Sequence, residues 1–360
     1  MSSAAVTTTQ PASATRPEEP AAGPPARVRS FSGRALGLLV AAAILLLVAL
    51  LSIGVGARSI PLDRVWDLVW HADGSDDALV IHDLRIPRTL LGLLVGAALG
   101  AAGALMQGLT RNPLADPGLL GVNAGAATAV VIAIALLDTT DLMTYVWFAF
   151  LGAGLASLLV YALGSAGRSG ATPVRLALAG TAVTFALMSF VYGFTILNPR
   201  VFDQYRHWQV GALSGHDASL TAAIAPFIGA GLVLALLLAR PLNALALGDD
   251  AGRALGARIG RTRLLGALGI TLLCGGATAA AGPIAFVGLT VPHVARALVG
   301  PDQRWVLPYS MVLAPILLLG ADVLGRVVNR PGEVEVGIVT AVIGAPVFIA
   351  IVRRARIAQL

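Results

Sequence analysis

The sequence contains no lysine; all 25 of its basic residues are arginine. A P-loop nucleotide site holds phosphate with the Lys of GxxxxGK[ST], so this chain cannot carry that site. Any work it does with ATP requires a separate ATPase. Cysteine is almost absent as well. Cys274 stands alone, which excludes an internal disulfide, and its place in an apolar run makes it a small core residue. Charge is scarce: 12% of the 360 residues are charged, against about a quarter in an ordinary soluble domain. That leaves too few charges to cover the surface of a soluble fold.

Long apolar runs fill the space instead. A stretch of about 18 or more apolar residues reads as a membrane-spanning helix, and ten spans fit best: roughly 35–57, 88–109, 118–137, 144–164, 175–197, 218–239, 263–281, 284–299, 305–325 and 335–352. The run 264–292 is too long for one helix and too short for two full ones. Gly282-Pro283 is its natural break, because proline cannot continue a helix ladder and glycine tolerates the turn. The eighth span is then short and carries Pro292, the kind of interrupted segment that marks transport pathways. The fold class is all-α, a polytopic membrane protein of about ten helices.

Residues 1–30, rich in Ala, Pro, Ser and Thr, hold few large apolar side chains and read as a disordered tail, without the pattern of a cleaved signal peptide. Residues 31–360 form the transmembrane domain. With the N-terminus inside, most arginines fall on inner segments, including Arg111, Arg240, Arg253, Arg258, Arg261, Arg263, Arg353 and Arg354. The positive-inside rule therefore places both termini in the cytoplasm of a multi-pass cell-membrane protein.

Three stretches interrupt the apolar pattern. "RNPLADPGLLG" (111–121) joins spans two and three on the inner face. Pro113 and Pro117 end one helix and open the next, and Arg111 and Asp116 sit where water and headgroups can solvate them. Such stiffness beside small residues suits a gate; plain loop-making is the alternative. "RPLNALALGDDAGRALGARIGRTR" (240–263) is the largest inner loop. Its apolar residues at helical spacing (Leu242, Leu245, Leu247), with Gly248, Gly252 and Gly256, fit two short helices lying on the membrane face. On span two, Gly92, Gly96 and Gly100 form a small-xxx-small ladder, read as helix packing rather than pore lining.

The stretch "LRIPRTLLGLLVGAALGAAGALMQGLTRNPLADPGLLGVNAGAA" (84–127) resembles the signature of the permease subunits of iron–siderophore, haem and vitamin B12 ABC importers. So do "AAGPIAFVGLTVPHVARALVGPDQRWVLP" (280–308) and "GADVLGR…GEVEVGIVTAVIGAPVFIAIVRR" (320–354). The resemblance runs from about residue 35 to the end. It implies a ten-helix permease with no catalytic residues, no metal site and no cofactor of its own, ATP and Mg binding the partner ATPase. The implied partners are a second permease subunit (the same chain or a paralogue), two cytoplasmic ABC ATPases, an extracytoplasmic binding protein and membrane lipid; nucleic acid is not among them.

The resemblance also implies roles for particular residues. The 240–263 loop would couple to the ATPase through Leu247, Gly248, Asp249, Asp250, Ala251, Gly252, Leu255 and Gly256. External Arg58, Arg326 and Arg330 would dock the binding protein by charge-assisted pairs; snorkelling to headgroups is the plainer reading. A cytoplasmic gate would combine Asn112, Pro113 and Leu114 with Thr172, Pro173 and Val174, where the sequence departs from the family's small hydroxyl pattern.

The function expected is translocation of a metal chelate, a ferric siderophore first, with haem or vitamin B12 as alternative substrates. A different class, an ion- or proton-coupled secondary transporter, would lean on Asp322, an acid within span nine; its structural alternative is pairing with Arg326 four residues on. His293 reads as structural, and "SGH" (214–216) lacks a third member of a hydrolase triad.

Overall fold

The computed structural model of the protein describes residues 31–71, 73–137, 142–166 and 172–354. The expected tail, 1–30, lies outside the described residues. The described chain is helical throughout, and its apolar helices number ten. Seven are long and apolar enough to cross a bilayer: α1 (Phe31–Gly54), the continuous Asp76–Thr110 segment, α6 (Leu142–Ser165), α7 (Pro173–Leu197), α9 (Ala218–Leu237), α12 (Ile259–Ala281) and α14 (Gln303–Val328). Three are shorter: α5 (Val122–Leu137), α13 (Val287–Val299) and α15 (Val336–Arg354), the last apolar to Ala350. The chain is a multi-pass membrane protein.

Within Asp76–Thr110, a four-residue α3 (Asp76–Leu79) and a π-helical turn (Val80–Arg85) lead into α4 (Ile86–Thr110). The second span is thus longer at its N-terminal end than the expected 88–109. α4 is the hub of the fold. Its inner face is almost all Gly, Ala and Leu, and α14, α12 and α13 pack around it. A Cβ built on Gly92, Gly96 or Gly100 would strike Leu319, Pro315 or Ser310, all on α14, at 2.2 to 2.5 Å. The ladder packs helix on helix, as small residues do where no hydrophobic force separates protein from lipid. Gly103 is tighter still, a Cβ there falling 1.8 Å from the Gly288 carbonyl oxygen on α13.

The break at Gly282 is present. α12 ends at Ala281, Gly282 has φ +71°, and α13 starts only at Val287 after Phe286, whose φ is +67°. The freed Ala281 carbonyl accepts the Ala212 amide at 2.8 Å, and Gly337 N–H donates to the Gly211 carbonyl at 3.0 Å. The 210–217 connection therefore knits the end of α12 to the start of α15, which keeps orphan helix-end groups satisfied.

Two helices were not anticipated: α2 (Leu62–Trp70) and α8 (Pro199–Gln209). α2 is amphipathic. It buries Val65 and Leu68 against Ile60, Ala78 and Ile81, and leaves Trp66 and Trp70 exposed in an edge-to-face pair, an arrangement suited to the interfacial zone. The 240–263 loop does fold as two short helices, α10 (Ala239–Ala246) and α11 (Asp249–Ala254). Leu242 and Leu245 anchor α10 in the core. Asn243 fixes it to the start of α14, donating to Asp302 Oδ1 at 2.6 Å and accepting the Gln303 amide at 2.8 Å. Partial burial of Asp302 works against ionisation, but Arg304 and Asn243 hold its carboxyl down to about 2. The cap of α14 therefore stays charged over the physiological range.

Candidate functional site

At one end of the bundle, α10 and α11 project a small ridge. Gly248, at φ +100°, turns the chain between them, and Gly256, at φ +82°, ends the second; both are conformations that favour glycine. Leu247 and Leu255 stand out from the ridge, 63% and 67% exposed, with Asp250 and Ala251 beside them. Gly252 is buried, its Cα side facing the Ala244 carbonyl. Two exposed leucines on a charged, membrane-face ridge form a knob that another protein surface can grip.

Asp249 faces inward from the first turn of α11. Arg263, in the first turn of α12, donates to both its carboxylate oxygens at 3.0 Å. Arg111, in the left-handed conformation that ends α4, reaches the same carboxylate at 3.6 Å. One acid thus joins the ridge, the 111–121 loop and the foot of α12.

That loop is built from its own side chains. Asn112 accepts the Leu114 amide at 2.9 Å, and Asp116 accepts the Gly118 amide at 2.8 Å, opening a 3-10 turn over Pro117–Leu120. This local bonding is what short Asx residues do best. The third span therefore begins as α5 at Val122 rather than 118. Pro117 packs against Gly288, and the Leu119 carbonyl sits where a Cβ on Gly180 of α7 would be. Near Pro113, on α13, His293 Nδ1 lies 3.3 Å from Arg296, which also donates to Gln107. His293 thus stands between the loop and Arg296.

Thr172 caps α7, accepting the Arg175 amide at 3.4 Å, with Pro173 at the first helical position and Val174 69% exposed. Among the described residues no hydrogen bond joins 112–114 to 172–174. The loop meets α7 at Gly180 instead.

The opposite end of the bundle carries a cleft of about 300 Å³ lined by Arg58, Arg85, Arg88, Ser214, His216, Arg326 and Glu333, among others. Beneath it lies a buried charge cluster. Asp322 is completely buried and accepts from Arg88, at 2.7 to 3.2 Å, and from Arg326. Arg88 also bonds Glu333 at 2.6 Å. The last carbonyls of α1 absorb the remaining donors: Arg326 bonds the Ser52 and Val55 carbonyls, Arg85 those of Ile53 and Gly54, and Arg330 that of Gly56. A helix C-terminus is the right place for cations.

This arrangement corrects the expectation for Arg326. It is 1% exposed and engaged on all three guanidinium nitrogens, so it supports the cleft rather than standing out as a surface contact. Arg58 is exposed and pairs with Asp77 at 2.9 Å; Arg330 is exposed. Arg85 and Arg88, both cleft-lining, were not singled out from the sequence. Their signal was two arginines in "LRIPR" at the edge of a charge-free span. Asp322 pairs with Arg326, the structural alternative. Arg88 shares the same carboxylate and is held from its other side by Glu333, so Asp322 stands inside a closed set of ion pairs.

Comparison with known proteins gives a consistent result. A profile described as the FecCD transport family matches residues 44–354. The chain is 50% identical over 319 residues to the ferric enterobactin transport system permease protein FepD of Escherichia coli (strain K12), covering 88% of this chain and 94% of that one. It is 35% identical over 339 residues to the hemin transport system permease protein HmuU of Yersinia pestis, covering 91% and 98%. Among solved structures, an inward-facing metal-chelate type ABC transporter superimposes with a TM-score of 0.79 at 26% identity, over 89% of this chain and all of that one.

Proposed function

The chain belongs to the FecCD transport family, and from that premise we propose that it carries an iron chelate, a ferric siderophore, across the membrane as the permease of an ATP-driven importer. It is the non-catalytic transport component of such a system. The greater identity to the enterobactin permease than to the hemin permease, 50% against 35%, favours a siderophore over haem. No observation favours vitamin B12, and the ion-paired Asp322 speaks against a proton-coupled transporter.

The observation that carries the mechanism is Asp249. A cytoplasmic ATPase gripping Leu247 and Leu255 would move α11 as ATP closes its dimer. Through Asp249 the motion would pass to Arg111, hence to the Asn112–Pro113–Leu114 loop, and to Arg263, hence along α12 towards its outer end. The loop's contacts with α13 and α7 would spread it to the walls of the pathway, with Val174 at the inner mouth beside Thr172 and Pro173. The opposite cleft, with Arg58 and Arg330 at its rim, would receive acidic groups of an external binding protein. A second permease would cover the apolar face of α7, where Phe185, Ile196 and Leu197 are exposed. This assignment puts α10, α11 and both termini in the cytoplasm.

The test is reconstitution of the permease with its partner ATPase and binding protein in proteoliposomes. ATP-dependent uptake of a labelled ferric siderophore, without uptake of hemin, is the expected outcome. Uptake on an ion gradient with no ATPase present would overturn the proposal.

A further inference from the structure

Among the arginines of residues 240–263, taken with Arg111 and Arg304, two groups stand apart. Arg111 and Arg263 face Asp249, Arg253 faces Asp250 and Arg304 faces Asp302. Arg240, Arg258 and Arg261 are exposed, and no ion pair joins any of them to a carboxylate among the described residues. These three unpaired cations do not scatter. All line one groove of about 520 Å³, formed by the end of α9, the side of α10, the turn after α11 and the start of α12.

The rest of the groove is apolar. Leu234, Leu237, Leu238 and Leu265 form its lining on the bundle side. Leu237 is 71% exposed, and Leu264 and Leu268 continue an exposed apolar strip along α12. The groove therefore has a cationic rim at the foot of two spanning helices and an apolar wall running up into the membrane zone. A soluble phosphate would match the rim and leave the wall in water. A neutral lipid would match the wall and leave three guanidinium charges without an anion. Only an amphiphile with an anionic head fits both parts.

We propose that this groove binds an anionic phospholipid, its phosphate held by Arg240, Arg258 and Arg261 and its acyl chains lying along Leu237, Leu264 and Leu268. Guanidinium groups suit phosphate because their donors form a planar fork, and basic pockets between spanning helices at the cytoplasmic surface favour acidic lipid heads. Because the groove wall includes Leu255 and Gly256 at the end of the ridge, a bound lipid would brace the element proposed to take the force of the ATPase. The leaflet rests on the orientation given under the proposed function; binding itself does not.

The assembled importer, purified in mild detergent, would be titrated with phosphatidylglycerol and separately with phosphatidylcholine, and bound lipid counted by native mass spectrometry. Phosphatidylglycerol should be retained preferentially. Each of Arg240→Gln, Arg258→Gln and Arg261→Gln should weaken it about fivefold, while Arg253→Gln, whose arginine faces Asp250, should not. Equal retention of the two lipids, or no change in the triple variant, would overturn the proposal. So would loss of the ATPase from the triple variant with lipid retention unaltered, since the arginines would then belong to the protein interface. Transport failure with selective lipid binding intact would count against the importer reading alone.

Discussion

The two ends of the bundle each gather arginines around an aspartate, and they do so in opposite ways. At the cleft end Asp322 is fully buried, two guanidinium groups share it, and the surplus donors close on the carbonyls at the end of α1. Nearly every polar atom has a fixed partner, so the cluster has one arrangement. At the α10–α11 end Asp249 is partly exposed, holds Arg263 at 3.0 Å, and reaches Arg111 at 3.6 Å. Water can replace either partner at little cost. The same chemistry gives a rigid frame where it is buried and over-determined, and an adjustable joint where it is sparse and wet. An importer needs both: a firm platform for a docking partner and a hinge that can change its contacts.

The sharpest way to break that contrast is at the buried end. Asp322→Asn should remove the carboxylate that Arg326 contacts and leave Arg88 with Glu333 alone. Stranding a buried charge in this way costs roughly 3–5 kcal/mol. The expected result is a large fall in thermal stability and yield in detergent. A variant that folds with native stability would show that Asp322 does not hold the cluster together. Between the two ends, Gly103→Ala should cost about 1–3 kcal/mol through overpacking, because its new methyl would meet the Gly288 carbonyl on α13. Unfolding monitored by tryptophan fluorescence would measure it.

At the wet end the same exchange should behave differently. Asp249→Asn should lower stability by less than about 1 kcal/mol but cut uptake on the order of tenfold, with ATP hydrolysis by the assembled complex largely kept. Uptake per ATP hydrolysed in proteoliposomes is the measurement. If hydrolysis and uptake fall together while the subunits stay assembled, Asp249 acts on the ATPase itself rather than on the path to the loop.

The pattern of what the sequence disclosed follows the same physics. Apolar run length located ten spans and Gly282-Pro283 located the break, because both depend on local chain properties. Leu242 and Leu245 at helical spacing foretold α10. Helices α2 and α8 leave little trace in the sequence because "LDRVWDLVW" and "PRVFDQYRHWQ" are short and charged, and α2 gains its helicity from tertiary cover such as Ile60 and Ala78 over Leu68. The Arg88–Asp322 pair spans 234 positions, beyond the reach of any spacing rule. The burial of Arg326 escapes the sequence for the same reason: an arginine near a span end looks exposed until the end of another helix is found above it.

The smallest effect concerns Thr172, where gate and cap compete for one hydroxyl. The bond to the Arg175 amide is long, at 3.4 Å, so Thr172→Ala should lose about 0.5 kcal/mol, the low end for an N-cap. In a chain of this size that is a shift in melting temperature of roughly 0.5–1 °C. Uptake should be nearly unchanged, since Val174, not Thr172, presents its side chain at this end. Serine at 172 should restore stability by restoring the cap. A variant as stable as the parent but with sharply altered uptake would show that the hydroxyl faces the cargo, and that this segment is part of the moving joint rather than a fixed helix start.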